Sequence, residues 1–336
     1  MPTISIIMPA YNAAEYIATA IESIISQTFK DWELIIADDC SADNTAEIIE
    51  SYCNKHNNIR LIKRAQNSGG ARLPRRDAAL AAQAGLIMTF DADDFLDKDY
   101  IEKMYNRKMA TGSNITLGAL HLCNKEGEYN GISIPGDKFD YNAVQTGKEA
   151  TKLLLGEVAI SVSGLLADKE LYIKNITTKD KKHDKLSFVD EIDQRTLLAN
   201  CDKVSFVNAG YYYRQHESSL MHLKDAKRYN ILKTLEAIYN FAKENYQDNQ
   251  VFKKLDNEFL TNLMYCYRDY YYYKHYKDNE AREISLMLNE AYRFSKREKM
   301  KPAGIKQKAC MISGLSLNII SYIYATILRI KKSNKK

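Results

Sequence analysis

Proline and glycine are scarce in this 336-residue chain, at 5 and 14 residues, which excludes a collagen-like or linker-rich protein. Its six cysteines (Cys40, Cys53, Cys123, Cys201, Cys266, Cys310) lie far apart and form no CxxC pair. That excludes a zinc knuckle and a small disulfide framework, so a reducing compartment is expected. Neither sign of charge dominates: Lys+Arg 48 against Asp+Glu 43 leaves +5, too little to propose a nucleic-acid partner. GxGxxG and GxxxxGK(S/T) are both missing, which removes the dehydrogenase and P-loop readings. HExxH and any clustered His/Cys set are missing too, which removes a zinc hydrolase. The opening MPTISIIMPAYN has no basic region and too short an apolar run for a signal peptide, so a cytoplasmic protein is expected. No internal repeat is present. What remains is an ordinary globular composition, 45% hydrophobic and 27% charged, long enough for one large α/β domain with an appendage or for two modest domains.

The first ninety residues alternate between two periods. Ile4–Met8, Glu33–Ala37, Ile59–Lys63 and Leu86–Phe90 are short β-branched or apolar runs, the pattern of strands buried on both faces. Between them, Asn12 to Glu15 has the spacing of a capping box ahead of Ile17, Ile21, Ile24 and Ile25 at helical spacing. A second helix starts near Asn44, Asn67–Gly70 is a loop, and alanine-rich Ala78–Ala84 is a third helix. The order βαβαβαβ implies a mostly parallel sheet with helices on both faces, and such sheets bind ligands at the carboxyl ends of their strands. Beyond Asp97 a helix is expected near Tyr100–Met109, a strand near Ile115–Leu122, a polar turn-rich stretch over Asn124–Phe139, and strands at Lys203–Val207 and Tyr211–Arg214. From about Asp225 to Ser295 the pattern is helical and rich in tyrosine, a stripe that at this spacing is more often core than ligand contact. Ala309–Leu328 holds no charged residue and is bracketed by Lys301, Lys306 and Lys308 and by Arg329, Lys331, Lys332, Lys335 and Lys336. Ser313, Ser316, Asn318, Ser321 and Thr326 dilute it, so a helix over 309–330 lying in a membrane interface fits better than a full span, with a docked core helix as the alternative.

Acidic residues gather where a site belongs. Asp91, Asp93 and Asp94 follow a strand directly, and three carboxylates so close repel one another unless a divalent cation relieves them. Loop solvation and helix capping are the bland alternative. Asp38 and Asp39 follow the second strand, where a carboxylate can accept from a ribose hydroxyl or a base N–H. Pro9, Ala10 and Tyr11 end the first strand: a fixed turn, room for close backbone approach, and a flat apolar face for a base.

Taken in order, SIIMPAYNAAEYIATAIESIISQTFKDWELIIADDCSADNT, NSGGARLPRRDAAL and MTFDADD resemble the family-2 glycosyltransferases, the nucleotide-sugar-dependent inverting enzymes of the GT-A fold. The resemblance is dense over residues 3–110 and resumes at FVDEIDQRTLLANCDKVSFVNAGYYYRQHESS. It implies an α/β GT-A domain over 1–220, with a nucleotide-binding half (1–110) and an acceptor-side half (111–220), then a helical region over 221–336. It further implies that Pro9, Ala10 and Tyr11 frame the uracil of a UDP-sugar while Asp39 or Asp38 holds the base or ribose. Asp91, Ala92 and Asp93 form the metal-binding DxD for Mn²⁺ or Mg²⁺, with Asp94 a neighbour that can substitute and His216 a further ligand or phosphate contact. The family's Arg-Asn falls on Arg75-Arg76 or on Arg76-Asp77, and either register brings an arginine toward the diphosphate.

The family's catalytic acidic pair falls at Val189-Asp190, with Glu191 following, so the implied base is Asp190 or Glu191, with Asp190 preferred. Valine in place of the first acid keeps open a nucleotide-sugar-binding protein without transfer activity. A nucleotidyltransferase would want an early Gly-rich phosphate loop, which Pro9-Ala-Tyr-Asn12 is not. The chemistry implied is one direct displacement at C1, the base taking the acceptor hydroxyl's proton as UDP leaves. The basic, apolar C-terminus suggests an acceptor at the inner face of the cell membrane: a saccharide or polyprenyl-linked oligosaccharide destined for a surface polysaccharide.

Overall fold

Isoleucine at three of seven positions, with Met8, makes the first strand hydrophobic on both faces, and β1 (Ile4–Ala10) is buried along its whole length. In the computed structural model, residues 1–135, 140–155, 164–177, 188–216, 226–273, 276–303 and 307 are described. Their contacts divide the chain into two units, the first ending at His216 and the second holding the helices from Ala226 onward together with Leu154, Leu155 and Phe188.

In the first unit β1 runs parallel to β2 (Trp32–Asp38) and β4 (Leu86–Thr89), and β2 parallel to β3 (Ile59–Lys63). The connections are α1 (Ile17–Ile25), α2 (Thr45–Cys53) and α3 (Arg72–Ala81). Ile17, Ala20, Ile21 and Ile24 form one stripe of α1 in the core with Ile4, Ile6 and Met8 of β1. On the other face of β1, Ser5 Oγ donates to Glu33 Oε1 at 2.6 Å, and Arg60 Nη2 meets Glu33 Oε2 at 2.6 Å, so the buried carboxylate is satisfied.

The sheet continues through β5 (Phe95–Leu96), β6 (Ile115–Cys123), β7 (Tyr129–Ile134), β8 (Val144–Gln145), β9 (Leu166–Asp168) and β10 (Val204–Arg214), in the order β3-β2-β1-β4-β9-β6-β10-β5. Here β10 is parallel to β6, whereas β9 lies antiparallel between β4 and β6. Around this half lie α4 (Tyr100–Thr111), α5 (Gly147–Leu154), α6 (Lys169–Thr177) and α7 (Val189–Ala199). Gly147 meets the end of α7 so closely that a Cβ would sit 2.0 Å from the Leu198 carbonyl oxygen, so only glycine fits there. The expected α/β architecture is therefore present, with short antiparallel strands added.

Five local expectations change. Asn12 does not cap α1: it sits at φ +48 and its Oδ1 accepts from Ala42 N at 2.8 Å, tying the loop after β1 to the loop after β2. The alanine-rich helix starts at Arg72 rather than Ala78, because Pro74 in the first turn loses no intrahelical donor. The two strands expected over 203–214 are one, β10, with a register irregularity between Phe206 and Gly210. Within the polar stretch 124–139, β7 pairs with β6, and its exposed first residues explain why no apolar alternation marked it. Pro9 lies inside β1 rather than in a turn. Ile7, two residues earlier, accepts from Phe90 on the β4 side, so Pro9 turns its missing N–H to that side just past the end of β4.

In the second unit a 3₁₀ turn (Ala226–Tyr229) leads into α8 (Asn230–Asn245), α9 (Asn249–Tyr273) and α10 (Asp278–Arg297). Leu235, Ile238, Leu255, Phe259, Leu263, Ile284, Leu288 and Phe294 are buried. The tyrosines divide: Tyr229, Tyr239 and Tyr267 are buried and Tyr265 is exposed. Among the described residues no helix is long and apolar enough to cross a membrane, and the segment 309–330 lies outside them.

Candidate active site

The carboxyl ends of β1, β2 and β4 put Tyr11, Asp38, Asp39 and Asp91 on one edge of the sheet. Tyr11, just past β1, is 51% exposed, whereas Pro9 and Ala10 are buried backbone of the strand. Asp38 accepts from Ser41 N at 3.1 Å and from the Ser41 hydroxyl. Asp39 is 2% exposed and anchors the loop before α3: its Oδ2 accepts from Ser68 N at 2.9 Å and Ser68 Oγ at 2.8 Å, and Arg64 Nε lies 2.9 Å from its Oδ1. Gly69 turns that loop at φ +83, a conformation side-chain-bearing residues avoid.

Structure separates the two arginines. Arg75 is 4% exposed and its Nη2 donates to Asp91 Oδ1 at 2.9 Å, while Arg76 is partly exposed and lies 3.7 Å from Asp77. Burial would lower the Arg75 pKa, but the charges of Asp91 and Asp190 outweigh it and hold the guanidinium more firmly protonated than usual.

The three carboxylates after β4 go three ways. Asp91 binds Arg75, and its N–H donates to Tyr211 Oη at 3.3 Å. Asp93 Oδ2 lies 2.9 Å from His216 Nε2, and its backbone oxygen accepts from Arg214 Nε at 2.9 Å. Ala92 between them is buried. Asp94 is 1% exposed and turned away from that pair: Tyr211 Oη donates to its Oδ2 at 2.6 Å and Arg214 N to its Oδ1 at 2.8 Å. Burial, with Asp93 and Asp91 close by, pushes the Asp94 pKa well above the usual carboxylate range against those two donors. Asp94 thus fastens β10 to the acidic loop. Tyr211→Phe removes one donor from a buried carboxyl and one acceptor from the Asp91 N–H. It is expected to cost about 2 kcal/mol of unfolding free energy, read from urea denaturation; a loss indistinguishable from zero would contradict that role.

Asp190 opens α7 and lines a cavity with Arg72, Arg75, Tyr172, Asn175, Asp193 and Gln194. Its pKa is raised, first by burial and then by Asp91, with Arg75 pulling the other way. Glu191 faces elsewhere, its Oε2 2.5 Å from the buried Arg195 Nη1. Of the two candidate bases, Asp190 is the one in the cavity. Among the described residues no three His, Cys, Asp or Glu side chains converge as a metal site, and Asp93 with His216 is a two-donor set.

Arg72, Tyr172, Asp193 and Arg214 were not singled out by sequence. The spacing of Arg72 to Arg75 and of Asp190 to Asp193, each one helical turn, was a signal available for two of them. Tyr172 offered none. Arg214 lies with its guanidinium 5.2 Å from the Tyr16 ring centroid and 5.3 Å from that of Phe95, and Tyr16 stacks on His216 at 4.9 Å.

Comparison with known proteins gives this geometry a context. Residues 5–163 match the family Glycosyl transferase family 2. An uncharacterized glycosyltransferase of Haemophilus influenzae is 31% identical over 215 residues, 62% of this chain and 80% of that protein. The cholesterol galactosyltransferase of Borreliella burgdorferi is 29% identical over 262 residues, 73% of this chain and 71% of its own length. The poly(ribitol-phosphate) beta-glucosyltransferase of Bacillus spizizenii is 36% identical over 126 residues, 37% of this chain, but this chain matches only 20% of that longer protein. Among solved structures, S. aureus TarS 1–349 in complex with UDP-GlcNAc aligns with a TM-score of 0.66 at 19% identity, covering 98% of this chain and 92% of that one. At that identity the likeness speaks for the fold.

Proposed function

Because the chain belongs to glycosyltransferase family 2, we propose that it moves a hexosyl or N-acetylhexosaminyl group from a UDP-sugar to a hydroxyl of a saccharide or lipid-linked saccharide, inverting the anomeric carbon. The observation that carries this reading is the charge pattern at the sheet edge. Arg75 is buried, bound to Asp91 at 2.9 Å and lining one cavity with Asp190, so the charges of the carboxylate after β4 and of the carboxylate opening α7 both act on one cation. A nucleotide diphosphate against the first and an acceptor hydroxyl against the second would be held on opposite sides of a transferred sugar.

Individual roles follow from placement. Tyr11 offers its exposed ring to the uracil, and Asp38, fixed by Ser41, retains lone pairs for the base or ribose, while Asp39, whose carboxylate already holds Asn67, Ser68 and Arg64, shapes the loop beside them. Asp190 takes the acceptor proton; its raised pKa brings it nearer the range a general base needs. Arg75 orients Asp91 rather than reaching for the diphosphate itself.

For a divalent cation, Asp93 and His216 fit as protein ligands, since the carboxylate oxygen and imidazole nitrogen already lie 2.9 Å apart. A mixed oxygen and nitrogen set suits Mn²⁺ better than Mg²⁺. Such an ion, when bound, neutralises charge building on the departing diphosphate. Asp94, fully engaged, is left out of that set.

The acceptor is proposed to lie at the inner face of the cell membrane, met through the apolar, lysine-flanked segment 309–330. The relative named for galactosyl transfer to cholesterol supports a lipid-borne acceptor, and the one named for poly(ribitol-phosphate) supports a surface-polymer acceptor.

The test is a panel of UDP-glucose, UDP-galactose, UDP-GlcNAc and UDP-GalNAc with polyprenyl-diphosphate-linked saccharides, reading UDP release and the product's anomeric configuration by NMR. Acceptor-dependent UDP release with inversion is expected. UDP binding with no turnover on any pair would favour a binding protein instead, and a retained configuration would exclude Asp190 as base in a single displacement.

A further inference from the structure

The cavity beside Asp190 contains an ion pair that sugar transfer, as described, does not use. α3 carries Arg72 and Arg75 one turn apart, and α7 carries Asp190 and Asp193 one turn apart, so each helix turns two like charges onto one face. The four interleave. Arg72 Nε lies 2.9 Å from Asp193 Oδ2, while Arg75 serves Asp91 at 2.9 Å and faces Asp190. From α6, Asn175 Nδ2 donates to the Asp193 backbone oxygen at 2.9 Å, and Tyr172 shares the cavity. Stability alone is a poor reason for this arrangement, because a buried ion pair seldom outperforms apolar residues of the same volume. Geometry is a better one. The pair is a strut between the helix whose arginine holds the donor-side carboxylate and the helix whose first turn bears the base.

Resting on the transfer reading above, we infer that Arg72 and Asp193 form a positioning pair that fixes Asp190 relative to Arg75 and Asp91 and sets the charge around it. Asp193 touches no reacting atom. The charged and titratable groups facing it are Arg72 and Arg75 of α3, Asp190 of its own helix and Tyr172 of α6. Burial raises the Asp193 carboxyl to about 6, with Arg72 opposing. The charge on Asp190 adds to that rise, so the two carboxyls titrate as a coupled pair, and a neutral residue at 193 removes the coupling.

The experiment compares wild type, Asp193→Asn and Asp193→Glu. UDP binding is followed by calorimetry, and UDP release from UDP-glucose, UDP-galactose and UDP-GlcNAc, with water as acceptor, is followed across pH 4.5 to 8. In parallel the Asp190 carboxyl is titrated by carbon-13 NMR, which needs no turnover. Asp193→Asn is expected to lower kcat about tenfold through misplacement of the base, leave the donor KM within about twofold, and turn the Asp190 titration from one half of a coupled pair into a single step, with the acid limb changing alongside. Asp193→Glu, which keeps the charge, should restore both. A packing defect alone would lower kcat without moving the titration. An unchanged Asp190 titration in Asp193→Asn overturns the inference and leaves the transfer reading standing. Wild type that binds no UDP overturns that reading and the inference with it.

Discussion

Asp190→Asn is expected to reduce kcat by about 10³-fold while UDP binding stays within about twofold of wild type. The carboxyl group is replaced by an isosteric amide that cannot take a proton, so the loss falls on the chemical step alone. Its raised pKa adds a second expectation. The rate should climb with pH through a value above the ordinary carboxylate range, because Asp190 is protonated and idle below it. Glu191→Gln provides the contrast. Glu191 is tied to Arg195 at 2.5 Å and lies outside the cavity lining, so its replacement should act on stability rather than on kcat. Steady-state kinetics with the preferred UDP-sugar decides between them. A mild effect at Asp190 with a severe one at Glu191 would reverse the assignment that Val189, standing where the family has an acid, left open.

Asp93→Ala should weaken UDP binding in the presence of Mn²⁺ by about ten- to a hundredfold, to the level wild type shows with chelator. It removes one of two protein donors proposed for the cation and the 2.9 Å partner of His216, whose stack on Tyr16 remains. Calorimetric titration of UDP with and without Mn²⁺ reads this directly. Asp94→Asn is the control, since Asp94 is committed to Tyr211 and to the Arg214 N–H; it should cost stability and leave the Mn²⁺ increment in place. Equal losses from both substitutions would mean that the loop as a whole, not the Asp93 carboxylate, supports nucleotide binding.

Much of the first unit was legible because its strands and helices announce themselves by period. The β-branched runs of β1 and β2 and the isoleucine stripe of α1 have one dominant reading each. The short antiparallel strands β5 and β8 have two residues apiece, too few for any period, and β9 has three. They form because the larger sheet offers them backbone partners, which is tertiary information. Site residues divide in the same way. Asp39, Asp91 and Asp93 stood out as candidates because they follow strands, and Asp190 because it falls where the resemblance puts the family's acidic pair. Which arginine pairs with Asp91 was not visible. Arg75 and Arg76 are adjacent in sequence, and only the phase of α3, begun six residues earlier than its alanines suggest, turns Arg75 inward. Asp94 looked equivalent to its neighbours, yet Tyr211, 117 residues later, claims it. Arg72 and Asp193 matter through a contact between two helices separated by most of the domain, which no local pattern encodes.

The central claim, that the ends of β1, β2 and β4 form a uridine diphosphate site, is tested most directly by titrating UDP into the wild-type chain with Mn²⁺ present, and ADP into a matched sample. Stoichiometric UDP binding that strengthens with Mn²⁺ and clearly exceeds ADP binding is the predicted result. No UDP binding with or without the metal would contradict the site itself.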